Sequence, residues 1–139
     1  MIKKMHDPLA ERLGYDLRSE YVERYWLSVL GPSATLLLRR LGQGLEHNPE
    51  GYSVDTAGLS IELGLGAKGG KNGPLWRSIE RICRFKAATR VQHVLQVRTA
   101  LSPLALRHLK RLPEELQADH QRLLDQQLQN RQPSSKGSC

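Results

Sequence analysis

The chain is poor in the residues that mark several protein classes. Aromatics make up only 5% of its 139 residues, too few for the stacking platforms on which single-strand nucleic-acid binders lay their bases. Its two cysteines, Cys83 and Cys139, build neither a disulfide framework nor a CxxC zinc pattern, so a reducing, cytoplasmic setting is the expectation. No apolar run approaches the roughly 20 residues that span a bilayer, and the N-terminal residues lack a signal-peptide core, so a membrane is not an expected partner. The histidines His6, His47, His93, His108 and His120 are scattered, with no HExxH motif, no His–Cys set and no paired carboxylates; no GxSxG elbow is present either. His120 falls at an apolar helical spacing and reads as a core histidine. No catalytic residue, metal ligand or cofactor is therefore expected. Acidic residues are also in deficit, with 14 Asp and Glu against 21 Lys and Arg, for a net charge of +7 and a pI near 9.8. That balance suits a polyanionic partner.

The most informative stretch is Gly64 to Phe85, GLGAKGGKNGPLWRSIERICRF. Asn72-Gly73-Pro74 opens a helix, with Asn or Gly to cap free N–H groups and Pro at the first helical position. Leu75, Ile79, Ile82 and Cys83 form an apolar stripe, and Trp76 lies at its flank. Arg77, Arg81 and Arg84 follow at i, i+4 and i+7 on another face, the arrangement of a helix that fits a DNA major groove. Glu80 interrupts that field as a pairing partner for these arginines. The preceding loop, Gly66 to Gly73, carries Lys68 and Lys71 and no acid, which makes an anion site at a helix N-terminus. Two nucleotide-binding motifs fail here. Gly64-Leu65-Gly66-Ala67-Lys68-Gly69 matches GxGxxG but has no surrounding βαβ unit and no acidic residue about 20 positions on. A P-loop would need glycine where Leu65 stands and Ser or Thr where Asn72 stands.

Along the rest of the chain, residues 1–17 read as an N-terminal arm with a short helical turn opened by Asp7-Pro8 and stopped by Gly14. Ser19 to Leu30 has helical periodicity at Val22, Tyr25, Trp26, Val29 and Leu30, with Ser19 as cap. Gly31-Pro32 ends that helix and starts another, whose stripe is Ala34, Leu37, Leu38, Leu41 and Leu45; Gly42 and Gly44 weaken its end. Tyr52-Ser53-Val54 reads as a short strand and Ala57 to Leu63 as a brief helix capped by Asp55 or Thr56 and stopped by Gly64. After Phe85 the period changes to two. Ala88 to Val91 and Val94 to Arg98 flank Gln92-His93 as a hairpin, though Gln-His is not a favoured turn pair. Ser102-Pro103 opens a helix that ends near Arg111, and Pro113 begins a longer one with Leu116, His120, Leu123, Leu124 and Leu128. The residues from 129 onward read as a disordered tail.

The pattern VDTAGLSIELGLG, followed by a loop and a basic amphipathic helix, resembles the helix-turn-helix of the winged-helix superfamily over roughly Pro32 to Leu101. It departs from that pattern where Gly66 to Gly73 exceeds the usual three- or four-residue turn. The expected fold is α+β and mostly helical: a winged helix-turn-helix core with its preceding helix over 18–101, added N- and C-terminal helices, and a helical extension over 102–128. The resemblance implies binding of double-stranded DNA, as a transcriptional regulator or a plasmid or chromosome maintenance factor, and a homodimer through the N- and C-terminal helices. Lys68, Lys71 and Asn72 are expected to grip phosphates. Arg77, Ser78, Arg81 and Arg84 are expected along the major groove, and Arg90, His93 and Arg98 at the flank from the hairpin. A protein-interaction module built on Tyr25, Trp26 and the Leu116–Leu128 stripe is the alternative, as is an RNA- or ribosome-binding protein.

Overall fold

A computed structural model describes residues 1–66 and 73–130 of the chain, which forms two compact units, Met1–Pro103 and Leu104–Cys139. The described residues are α+β and mostly helical, with a small mixed sheet.

In the first unit the helix α3 (Pro32–His47) is the element on which the others pack. Its residues Leu37, Leu38 and Leu41 are at most 1% exposed, and they share the core with Val22, Leu30, Ile82 and Val97. Gly31 sets its start: the preceding helix ends there with φ +83° and ψ 161°, a backbone conformation that only glycine adopts readily. The preceding helix is not regular. Val22–Trp26 is a π-helical turn, and α2 (Leu27–Leu30) continues it. The wide turn lets Tyr25 and Trp26 both be buried, and the Trp26 indole N–H donates to the Ser102 carbonyl at 3.0 Å. Tyr15 stacks on Tyr21 with ring centroids 3.7 Å apart, and Tyr21 meets Tyr25 in a tilted contact at 4.8 Å.

Thr35, in the second turn of α3, is 3% exposed, and its hydroxyl has no partner among the described residues. An unmet buried hydroxyl costs stability, and valine has the same shape without it. Thr35→Val is expected to raise stability by about 1 kcal/mol in urea denaturation. A loss instead would mean that the hydroxyl is satisfied.

Helix α4 (Thr56–Glu62) begins where the Asp55 carboxylate accepts the Gly58 N–H at 3.2 Å. It ends in a complete Schellman motif: Gly64 N–H donates to Ile61 O at 3.0 Å, Leu65 N–H to Ser60 O at 2.9 Å, and Gly64 holds φ +74°. Helix α5 (Pro74–Arg84) starts at Pro74 as expected and buries Leu75, Ser78, Ile79 and Ile82. It too closes with the Schellman pair, Lys86 N–H to Cys83 O at 3.0 Å and Ala87 N–H to Ile82 O at 2.9 Å. Here a lysine, Lys86 at φ +63°, holds the left-handed position that glycine favours. Lys86→Gly is expected to stabilise the fold by about 0.5–1 kcal/mol, read as a rise in the urea midpoint at unchanged slope.

The sheet contains one strand that periodicity did not reveal. Residues 1–17 are not a loose arm: β1 (Ile2–Lys4) pairs in parallel with β4 (Val94–Val97), which pairs antiparallel with β3 (Ala88–Val91). On its other edge Ile2 exchanges two hydrogen bonds with Tyr52, at 2.7 and 2.9 Å. The stretch expected as a strand, Tyr52 to Val54, therefore joins through Tyr52 alone. Ile2, 6% exposed, anchors β1 in the core. The arm also contains α1 (Pro8–Leu13) and β2 (Tyr15–Asp16), which pairs with β5 (Ala100–Leu101). The hairpin β3–β4 turns in two residues, and Gln92 takes the positive φ of +55°.

Ser102-Pro103 ends the first unit and does not open the first helix of the second. α6 is the short Leu106–Leu109, with Ala105 at its N-cap. The longer helix α7 (Glu114–Asn130) starts just after Pro113, and the Gln117 side-chain amide donates to the Leu112 carbonyl at 2.7 Å. His120 is buried, as its spacing implied, and burial pushes its imidazole pKa down.

Candidate nucleic-acid interface

The face of α5 opposite its apolar stripe carries Arg77, Glu80 and Arg84, all exposed. At about 100° per residue these three lie within an arc of about 60°, with Glu80 at one edge, and the exposed Arg81 lies about 40° beyond Arg77 at the other. Arg77 and Arg84 make no ion pair among the described residues, and Glu80 pairs with neither. Glu62, the other acid near this region in sequence, is engaged with Arg40 at 2.8 Å. Arg77 and Arg84 border a shallow depression of about 480 Å³ whose opposite wall is Gly31 to Ala34, the first turn of α3. The N–H groups of a first helical turn lack intrahelical acceptors and carry the positive end of the helix dipole. The sequence reading missed this wall. Its available signal was Gly31-Pro32, a helix start of the same kind as Gly73-Pro74.

Other expected contacts have different roles. Ser78 is 7% exposed and faces the core, so it cannot read a base; on α5 it lies at the edge of the apolar stripe, about 40° beyond Ile82. Arg81 is exposed too, but its guanidinium reaches the end of α2, where Nε and Nη2 both donate to the Val29 carbonyl, at 3.1 and 2.7 Å. Its guanidinium also lies 5.6 Å from the Phe85 ring centroid. Arg98 donates from Nε to the Lys86 carbonyl at 2.7 Å and forms an ion pair with Asp7. It therefore ties the base of the hairpin to α1 and the turn after α5. Asp7 and Lys86 occupy the groups that a phosphate would have used.

On the hairpin, Arg90 and His93 are exposed. The Arg90 guanidinium lies 5.1 Å from the Trp76 ring centroid, a cation–π contact that reaches from β3 to α5. Cys83 is only half-buried; burial raises its thiol pKa, with Arg90 opposing and Glu80 adding to the shift. Lys68, Lys71 and Asn72 lie outside the described residues. Among the described residues no group of three or more His, Cys, Asp or Glu is placed to hold a metal ion, and no helix is long and apolar enough to cross a membrane.

No protein-family model, curated protein or solved structure matches the chain.

Proposed function

We propose that the chain is a double-stranded-DNA-binding protein of the winged helix-turn-helix type, acting in transcriptional regulation or in plasmid or chromosome maintenance. The observation that carries this reading is the solvent face of α5, where Arg77 and Arg84 stand exposed and, among the described residues, without an acidic partner. The order of elements supports it: α3, α4 and α5 in succession, with α5 packed on both, and then a two-stranded hairpin. In this arrangement α5 is the helix that enters the major groove. Arg77 and Arg84 contact phosphates or guanine edges, and the first turn of α3 offers N–H groups to the backbone beside them. His93 stands at the tip of the hairpin and contacts the flank. Arg81 and Arg98 act indirectly, by holding α5 and the hairpin in place.

The test is a fluorescence-anisotropy titration of the full chain against mixed-sequence duplex DNA across a salt series. Each phosphate contact contributes about 0.9 to the slope of log K against log salt, so Arg77→Ala/Arg84→Ala is expected to flatten the slope by about 2. Affinity near 100 mM salt is expected to fall at least about tenfold, with the circular dichroism spectrum unchanged. Absence of binding by the unaltered protein at low salt would overturn the reading.

A further inference from the structure

Close-packed interiors hold few voids larger than a water molecule. This fold has a cavity of about 260 Å³ between α3, α4, α5 and the hairpin. Leu41, Leu59, Ile79 and Leu95 line its interior, and the half-buried Trp76 ring forms a wall toward the mouth. The recess opens to solvent and leaves part of its apolar lining wet, so the fold gains when an apolar group covers that lining. The volume lies just below the ~300–1,000 Å³ usual for sites that take drug-sized ligands, which limits the occupant to a single ring or a short chain.

The charge at the mouth narrows the choice further. None of the lining residues is acidic; the cations among them are the Arg90 guanidinium and the Met1 α-ammonium, which donates to the His93 carbonyl at 3.3 Å. Arg90 meets no carboxylate among the described residues; its guanidinium rests over Trp76. Ring contact satisfies the charge of a guanidinium without using its N–H fork, which is the group that binds a carboxylate in bidentate fashion. We propose that this cavity is a binding site for a small apolar carboxylate, with the ring or alkyl body among Leu41, Leu59 and Ile79 and the carboxylate on Arg90. The site lies on the opposite side of Trp76 from the solvent-facing arginines of α5, and its occupancy can be measured with no nucleic acid present.

The full chain, labelled with 15N, is titrated with phenylacetate and hexanoate and with their neutral amides, phenylacetamide and hexanamide. The chain has two tryptophans, so Trp76→Phe assigns the two indole N–H resonances. Binding is expected to move the Trp76 resonance and leave that of Trp26, with a Kd of about 1 mM for ligands of this size. Each carboxylate is expected to bind about tenfold tighter than its amide, and Arg90→Gln to abolish that difference while the amide still binds. No movement of the Trp76 resonance up to about 20 mM ligand would overturn the site. Equal affinity for acid and amide, or an unchanged preference in Arg90→Gln, would overturn the role of Arg90.

Discussion

Gly44→Ala is expected to cost about 2 kcal/mol of stability, although alanine is the better helix former by about 1 kcal/mol in a helix interior. The reason lies across the helix. A Cβ at position 44 would stand 2.3 Å from Cζ and Oη of Tyr52 and 2.8 Å from its Cε1. Tyr52 has little room to retreat. Its backbone exchanges two hydrogen bonds with Ile2, and its hydroxyl donates to the Leu41 carbonyl at 2.9 Å. Burial raises the pKa of that hydroxyl, as befits a phenol held in its neutral, donating form. Displacing the ring adds about 1–3 kcal/mol of overpacking and about 1 kcal/mol for the lost hydrogen bond, which together outweigh the gain in helix propensity. Gly42 is a useful contrast, because a Cβ there meets only the tip of the Leu17 side chain, 2.7 Å from Cδ1, which can yield. Urea denaturation checks the expectation, and a double-mutant cycle locates its cause. In a Tyr52→Ala background the obstacle is gone, and Gly44→Ala is then expected to stabilise by about 0.5–1 kcal/mol. A neutral or stabilising effect of Gly44→Ala with Tyr52 present would show that the ring does not set this position.

That pair also shows where the sequence could be read and where it could not. Gly42 and Gly44 suggest a weakening helix end, yet α3 runs through them to His47. Glycine here serves a close approach between residues 44 and 52, and no periodicity reports which side chain will lie opposite. Legible features were those fixed within one or two turns. Asp55 caps α4 and Gly64 ends it with both Schellman bonds. The α5 stripe of Leu75, Ile79 and Ile82 is buried, and the two-residue hairpin falls where the period changes to two. The features that escaped depend on distant partners. Ile2-Lys3-Lys4 is too short to show alternation, and it becomes a strand only because Tyr52 and β4 leave a slot between them. Lys86 carries no sign of the left-handed conformation it adopts, since glycine is the residue that usually marks it. In the candidate interface, spacing correctly put Arg77 and Arg84 on one face. It could not show that Ser78 fits the core or that a helix end waits beside Arg81.

Arg81→Ala is expected to be the most damaging single arginine change on α5, costing about 2 kcal/mol, although the side chain looks like one of three equivalent surface cations in sequence. Val29 lies in the last turn of α2, where carbonyls have no intrahelical N–H to accept. Arg81 supplies two donors to that single oxygen from 52 residues away, and places its charge at the negative end of the helix. Hydrogen bonds from charged donors contribute about 1.5–3 kcal/mol, and removing this one leaves a part-buried carbonyl unmet. Arg77→Ala and Arg84→Ala remove no hydrogen bond or ion pair found among the described residues and are each expected within about 0.5 kcal/mol of the unaltered protein. Arg81→Lys is expected to recover less than half of the loss, because a single ammonium cannot reproduce the fork. Urea midpoints of the four variants decide the matter; equal stability of Arg81→Ala and Arg77→Ala would remove the structural role. The same difference dictates how DNA binding must be tested. A variant lacking all three arginines would lose affinity through a loosened α2–α5 junction as well as through lost phosphate contacts. Only Arg77→Ala/Arg84→Ala separates the two effects, because it strips charge from the helix while Arg81 still holds α5 in place.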